Sequence, residues 1–373
     1  MIKEMLFGNK DTKKLDYPML LVIFILICFG LITLASASSY AALSTYEDSN
    51  YFLFRQLAFA LVGILFMFII SRIDYNKYKK LAYLGYGVTI LLMFAVLIPG
   101  VGVEVKGATR WLGVGTFRFQ PSEIMKIMLV IAVATFIAKN HKKIVNIWGY
   151  TIPGIMLLVV CAVMYFQNHL SGTVIMGVGV ISVIFASGIK LNWKIIILVT
   201  ALLIAAGAIF ILSEDFRINR VVAFLNPEQD LKGDNWQAAQ SLYAIGTGGI
   251  FGLGLGQSRQ KFLWLPEAQN DFIFSVLGEE LGLIGAVGVL ALFTFFICRG
   301  YYIAMTCKDL YGTLLATGII SVFAVQILIN IAVVTCSMPV TGMPLPFFSY
   351  GGTALFINLC AMGVLLNISR TCK

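Results

Sequence analysis

Long apolar runs separated by short polar intervals fill most of the chain. A helix rising 1.5 Å per residue needs about 20 apolar residues to cross a bilayer. Runs of that order lie near 17–39, 53–71, 81–99, 119–138, 149–166, 173–188, 195–213, 272–298, 312–334 and 351–369. They predict an all-α polytopic membrane protein of about ten transmembrane helices. A polar lead over 1–16 precedes a single helical domain over 17–369, and a tail over 370–373 follows it. The first run is too long for a signal-peptide core and lacks a clear cleavage site, so it reads as a retained anchor.

One interval breaks the rhythm. Residues 214–271, between the seventh and eighth runs, are too many for a plain connector and mark a functional loop. Glu214, Asp215, Arg217 and Arg220 open it as a mixed-charge cluster. Asp234–Gly246 then alternates polar and apolar residues at near-helical spacing, which predicts a short interfacial helix. Gly246, Gly248, Gly249, Gly252, Gly254 and Gly256 follow. No βαβ unit precedes these glycines and no acidic ribose ligand accompanies them, so they are not a dinucleotide fingerprint. They read as a hinge or re-entrant turn packed against other protein.

The shorter intervals differ in character. Arg72–Lys80 is basic, with tyrosines suited to the headgroup zone. Residues 100–118 form a glycine-rich loop carrying Lys106, Arg110, Trp111 and Arg118. The turn Gln167–Thr173 holds Asn168 and His169, either solvated or lining a cavity. Met338–Thr353 combines prolines that stiffen with glycines that bend, a composition suited to the fixed wall of a groove.

Composition agrees: 59% of the 373 residues are hydrophobic and 12% charged, against about 25% charged in soluble domains. Placing both termini in the cytoplasm puts 17 Lys and Arg with 5 acids on the inner side, and 10 with 13 elsewhere. That asymmetry satisfies the positive-inside rule and places the long loop outside. The net charge of +9 therefore reflects topology rather than nucleic-acid binding. The seven cysteines lack paired spacing, so neither a disulfide framework nor a zinc site follows. His141 and His169 fall on opposite sides of the membrane, which argues against a histidine metal centre and a Ser-His-Asp nucleophile alike.

The candidate chemistry concentrates in Leu263–Gly282, where a polar loop with Glu267, Asn270 and Asp271 runs into an apolar helix. At 100° per residue, Ser275, Gly278, Gly282 and Glu279 fall within about 80° of Asp271, and Glu280 lies opposite. Lipid cannot solvate such a stripe, so it faces protein or a wet cavity, and an acid at the membrane edge marks a functional site. Asp271 is equally suited to capping the helix, and both roles stay open. A second candidate is Gln120-Pro-Ser-Glu123-Ile-Met-Lys126, where Glu123 and Lys126 are i, i+3 neighbours. They either neutralise each other as a structural ion pair or leave Lys126, with Arg110, facing an anionic substrate. Gln326 and Asn330 lie one turn apart on the ninth run and suit bonds to neighbouring helices.

Several motifs carry a resemblance: Arg110-Trp-Leu, Gln120-Pro-Ser-Glu123, Leu265-Pro-Glu through Asp271-Phe-Ile-Phe, Glu279-Glu-Leu-Gly282, and Thr341-Gly-Met-Pro-Leu-Pro-Phe-Phe-Ser-Tyr-Gly-Gly352. With them, nearly the whole chain resembles the SEDS family, the bacterial peptidoglycan polymerases that include RodA, FtsW and SpoVE. Gln240–Gly246, Gly252–Lys261 and the tail at 364–370 look more like the FtsW and SpoVE branch. Asn270 stands where many members have Thr, and Leu170-Ser-Gly172 where an acid-Leu-Gly is frequent.

The resemblance implies a ten-span protein of the bacterial plasma membrane whose outer cavity joins lipid II units into glycan, for division or sporulation. It implies a class B penicillin-binding protein as partner, with other divisome or sporulation membrane proteins. The chemistry needs a base for the acceptor hydroxyl and positive charge for the departing pyrophosphate. Asp271 suits the base, while Arg110, Arg259, Lys261, Lys126, Gln120 and Ser349 are candidate substrate ligands. A divalent cation, Mg or Mn, held by Asp271 and the pyrophosphate is an alternative neutraliser. A lipid II flippase and a non-catalytic scaffold that activates a transpeptidase are the competing readings. In-span charges cluster toward the outer end, which favours chemistry there.

Overall fold

The computed structural model describes residues 15–105, 108–114, 117–141, 148–188, 235–262 and 264–371, with isolated positions at 218, 222 and 224. Helices α1 (Tyr17–Tyr46), α2 (Tyr51–Ile70) and α3 (Tyr78–Ala95) lead into strands β1 (Gly102–Val105), β2 (Ala108–Val114) and β3 (Phe117–Phe119). Helices α4 (Pro121–Asn140), α5 (Trp148–Phe166), α6 (Leu170–Ala186), α7 (Trp236–Gly248), α8 (Ile273–Thr306), α9 (Leu310–Val334) and α10 (Gly352–Thr371) follow. Each predicted span on described residues coincides with a helix to within several residues. The predicted span at 195–213, the charged residues Glu214, Asp215, Arg217 and Arg220, and Lys106 lie outside the described residues. Among the described helices, α1, α2, α4, α8, α9 and α10 are long and apolar enough to cross a membrane.

The all-α expectation needs one correction. The interval at 100–119 carries a three-stranded antiparallel sheet of order β1-β2-β3, with Val103 opposite Trp111 and Leu112 opposite Phe119. Alternation is present in Val103/Val105 and Phe117/Phe119, but strands this short among glycines give a period-2 signal too weak to separate from a loop. The cysteines need another: Cys307 is disulfide-bonded, which the scattered spacing of the seven does not reveal.

Side chains on α4 and α9 are buried along most of their length, so these two helices form the centre against which the others pack. Small residues set the closest approaches, as they do where helices pack without a hydrophobic driving force. Gly63 of α2 receives Leu359 of α10, and Gly363 of α10 lies against Met67 and Ile70 of α2. At the start of α1, buried Asp16 caps the helix by accepting from the Met19 N–H at 3.1 Å. The same carboxylate takes both forks of Arg299 from α8 at 2.9 and 2.8 Å, a bidentate geometry that fixes where α1 crosses α8.

Helix α8 is two helices joined at Gly282, whose φ of 66° and ψ of −166° interrupt the ladder. A break inside an apolar layer strands backbone groups that lipid cannot satisfy. The glycine-rich segment satisfies them: Leu253 and Gly254 donate to the carbonyls of Glu279 and Glu280, both at 3.0 Å. In return, Leu283 donates to Gly249 O at 2.9 Å and Ile284 to Ile250 O at 3.2 Å. Part of the 214–271 interval is therefore not an outlying loop. It reaches α8 six or more residues past its start, about 9 Å along the axis.

Candidate active site

Asp271 sits two residues before α8, and the helix N-cap is Phe272, which makes no side-chain cap bond. The capping role open for Asp271 in the sequence is thus not the one the backbone adopts. The half-buried carboxylate lies beside the last interhelical loop, where a Cβ on Gly342 would stand 3.5 Å from Asp271 Oδ2. Gly342 has a φ of +68°, so glycine both permits this turn and keeps a side chain away from the carboxylate.

Three bonds to successive carbonyls hold the chain on which Asp271 is mounted. Asn330 Nδ2 donates to Asp271 O at 2.8 Å and to Met343 O at 2.7 Å, so α9 binds both walls at once. Ser349 Oγ donates to Asn270 O at 2.5 Å, and the Tyr350 N–H to Gln269 O at 2.9 Å. Gln56 of α2 steadies that loop in turn, donating to Ser349 O and accepting from the Gly351 N–H, both at 3.1 Å. Ser349, a candidate substrate ligand, spends its hydroxyl on this lattice and also accepts from the Leu345 N–H at 2.8 Å.

The stripe below Asp271 faces protein. Ser275 shares a 2.8 Å hydrogen bond with Ser241 of α7, whose hydroxyl also reaches Val334 O at 2.6 Å. A Cβ on Gly248 would stand 2.1 Å from Gly278 O, so this glycine lets α7 lie directly on the backbone of α8. α7, the short helix predicted from alternation, is thereby clamped to α8 and α9.

Cations occupy three distinct settings. Lys126 is buried, paired with Glu123 at 2.8 Å, and donates to Gln326 Oε1 at 2.9 Å; Gln326 in turn donates to Pro344 O at 2.8 Å. This is the structural alternative for the pair, extended into a line of polar groups from α4 through α9 to the last loop. Lys261 is also buried, with its ammonium bonded to Gly256 O at 2.6 Å, Ser36 Oγ at 3.0 Å and Glu280 Oε1 at 3.3 Å. Those acceptors take its three donors, so the structure commits Lys261 to the interior rather than to a substrate. Arg259, two residues earlier, has an exposed side chain.

Arg110, on β2, donates through Nε to Gln167 O at 3.2 Å and through a terminal nitrogen to Asn168 O. The sheet is thus tied to the turn between α5 and α6. Gln167 of that turn donates to Met93 O of α3 at 2.8 Å. Gln120, half-buried at the N-cap of α4, makes no side-chain cap bond.

His169 ends that turn, where its Nδ1 accepts from the Gly172 N–H at 3.3 Å and caps α6. Burial first, and then the charges of Arg110 and Lys126, hold it well below the ordinary histidine range. The unfolded chain takes up a proton below about pH 6.5 that the folded protein refuses. Stability should therefore be intact above that pH and fall as the medium is acidified through it, by up to about 1.4 kcal/mol per pH unit. Thermal unfolding of detergent-purified protein between pH 5 and 8 should show this slope, flattened in His169→Gln.

The sequence missed the roles of Ser36, Ser241 and Ser258, because single serines in apolar or loop segments carry no pattern, and that of Glu280, which helical spacing placed only on the face opposite Asp271. Among the described residues no group of three or more His, Cys, Asp or Glu side chains could hold a metal ion.

Fold and site together define a polytopic helical membrane protein with a carboxylate fixed at the end of a broken helix and an exposed guanidinium on the segment that mends the break. The profile of the cell cycle protein family FTSW_RODA_SPOVE matches residues 17–373, and the chain belongs to that family. It is 43% identical to Stage V sporulation protein E of Bacillus subtilis over 363 residues, covering 96% of this chain and 98% of that protein. It is 41% identical to a probable peptidoglycan glycosyltransferase FtsW of Trichlorobacter lovleyi, over 96% of this chain and 94% of that one. These relatives place it in the FtsW and SpoVE branch.

Solved structures agree in fold. One comes from a peptidoglycan synthase complex described as coordinating polymerization and crosslinking, with a TM-score of 0.78 at 27% identity over 95% of this chain and 98% of that one. Another is rod shape determining protein RodA of Thermus thermophilus, with a TM-score of 0.71 at 28% identity over 96% and 97%.

Proposed function

We propose that this protein is a peptidoglycan glycosyltransferase that polymerises lipid II into β-1,4 glycan at the outer face of the bacterial plasma membrane, releasing undecaprenyl pyrophosphate. Relatives named as glycosyltransferases support the activity, and the charge asymmetry supports ten spans with both termini inside and Asp271 outside. One observation carries the site: Asp271 is held by backbone anchors from α9 and the last loop, so its carboxylate is positioned before any substrate arrives. A positioned base contributes about 10²–10⁴-fold.

Asp271 takes the proton from the acceptor 4-hydroxyl as that oxygen attacks the anomeric carbon of the donor. A single displacement inverts the α-linked donor to a β linkage and expels the pyrophosphate, so no enzyme nucleophile is needed. Arg259 is the exposed cation suited to the leaving group, and a guanidinium matches phosphate oxygens in a bidentate fork. Arg110 reaches the same side through the sheet, with part of its fork spent on the 167–168 turn. The donor set fits a shared cation only: Asp271 would hold Mg or Mn as the single protein carboxylate beside pyrophosphate oxygens, a habit of magnesium sites. Such an ion would supply charge neutralisation of the leaving group.

The synthase-complex neighbour supports a class B penicillin-binding protein as partner. Purified protein incubated with lipid II, with and without such a partner, should yield glycan chains and undecaprenyl pyrophosphate. Movement of fluorescent lipid II across vesicles without joining would instead support a flippase. Partner activation with no glycan made by this chain would support a scaffold.

A further inference from the structure

Arg259 and Asp271 are twelve residues apart in sequence, and two acids on α8 that the reaction does not use tie their segments together. Glu279 and Glu280 are both buried. Glu279 accepts from Ser258 Oγ at 2.5 Å and from the backbone N–H groups of Arg259 at 3.0 Å and Gln260 at 3.3 Å. Glu280 accepts from the Ser258 N–H at 3.3 Å, from the Lys261 ammonium at 3.3 Å and from Ser36 Oγ of α1 at 2.5 Å. Lys261 closes the turn by donating its own N–H to Ser258 Oγ at 3.3 Å.

Every residue from Ser258 to Lys261 is thus fastened to a carboxylate or to its neighbour. Consecutive N–H groups converging on an anion form a backbone nest of the kind that binds phosphate. Here the anion is the protein's own Glu279. Bonds to a charged acceptor are about twice as strong as neutral ones, so this turn is stiffer than the glycine-rich stretch that leads into it. Within the turn, the one exposed side chain is that of Arg259. Glu279 lies six residues into α8, about 9 Å along the axis, and helical side chains lean toward the N-terminus, which here is the Asp271 end.

We propose that Glu279 and Glu280 are positioning residues that fix the Ser258–Lys261 turn so that the Arg259 guanidinium is presented to the donor's pyrophosphate beside Asp271. This rests on the glycosyltransferase reading. A guanidinium on a fixed turn meets phosphate with its orientation already set. On a loosened turn it must be ordered by the substrate, and that cost appears in donor binding. The first helix takes part through Ser36, so the turn is pinned by α1 and α8 together.

The test is steady-state polymerisation of lipid II by the purified full-length protein and its variants Glu279→Gln, Ser258→Ala, Arg259→Ala and the double variant Glu279→Gln with Arg259→Ala. Glu279→Gln and Ser258→Ala should each raise KM for lipid II, by roughly tenfold for the first, the order expected for one charge-assisted hydrogen bond. Their kcat should stay within about threefold of the unaltered protein. Arg259→Ala should raise KM at least as much, and the double variant should be no worse than Arg259→Ala alone, because the tether acts through that side chain.

The proposal is overturned if Glu279→Gln multiplies KM as strongly without Arg259 as with it, or lowers kcat at unchanged KM. An unchanged KM in Arg259→Ala also overturns it while the glycosyltransferase reading stands. If the unaltered protein forms no glycan, the underlying reading fails with it. Should Glu279→Gln not fold, Ser258→Ala and its double variant with Arg259→Ala decide the question, since Ser258→Ala leaves both carboxylates in place.

Discussion

Asp271→Asn is expected to lower glycan polymerisation by about 10²–10⁴-fold, the range for loss of a positioned general base, with protein yield and thermal stability unchanged. The expectation follows from how the residue is held. Asn330 binds Asp271 through its backbone carbonyl, which asparagine keeps. The N-cap of α8 is Phe272, so the helix start does not depend on this carboxylate. The amide is nearly isosteric and fits beside Gly342, yet it cannot take a proton from a hydroxyl. Asp271→Ala should show the same loss. Polymerisation of purified lipid II and the melting temperature in detergent are the two measurements. Asparagine activity near that of the unaltered protein would remove Asp271 from the reaction, and a collapse in yield would assign it to structure.

Gly282→Ala is expected to prevent recovery of folded protein. A φ of 66° with a ψ of −166° lies in a region occupied almost only by glycine, where an L side chain costs about 1–3 kcal/mol. Space forbids the change as well, because a Cβ would collide with Gly252 N and come within 2.6 Å of Ile250 O. Those are backbone atoms of the segment that satisfies the broken ladder, so relief would unpair Leu253, Gly254, Leu283 and Ile284 within an apolar layer. A stability of about 5–15 kcal/mol does not absorb several such losses. Gly288→Ala is the control: it lies on the same helix with nothing within 4 Å of an added Cβ. It should be neutral or stabilising by about 0.5–1 kcal/mol. Yield and monodispersity in detergent would separate the two variants, and equal recovery would show that the break at Gly282 is not required.

Legibility in the sequence varied with the kind of signal. Helices over 273–306, 310–334 and 352–371 were plain, because an apolar run of membrane length has few alternatives. The sheet at 102–119 was not, since its strands are only three to seven residues long. The motifs around Asp271, Gln120 and Thr341 were distinctive enough to show the family. They did not show which cations are open to a substrate. Lys261 and Arg259 look alike in sequence, two residues apart, and burial against Glu280 separates them. Lys126 likewise had a neighbour at i−3, but its second partner, Gln326, is 200 positions away.

The chain alone determined that this is a membrane protein, where its helices run, and that Asp271 lies at the mouth of the eighth, because hydrophobic length and local charge are written in consecutive residues. Only the tertiary structure decided that α8 is broken and mended by the glycine segment, that Glu279 and Glu280 grip the turn beneath Arg259, and that Ser349 and Lys261 serve the scaffold. Those outcomes depend on which distant backbone groups must be satisfied where lipid offers no hydrogen bonds, and that accounting closes only in three dimensions.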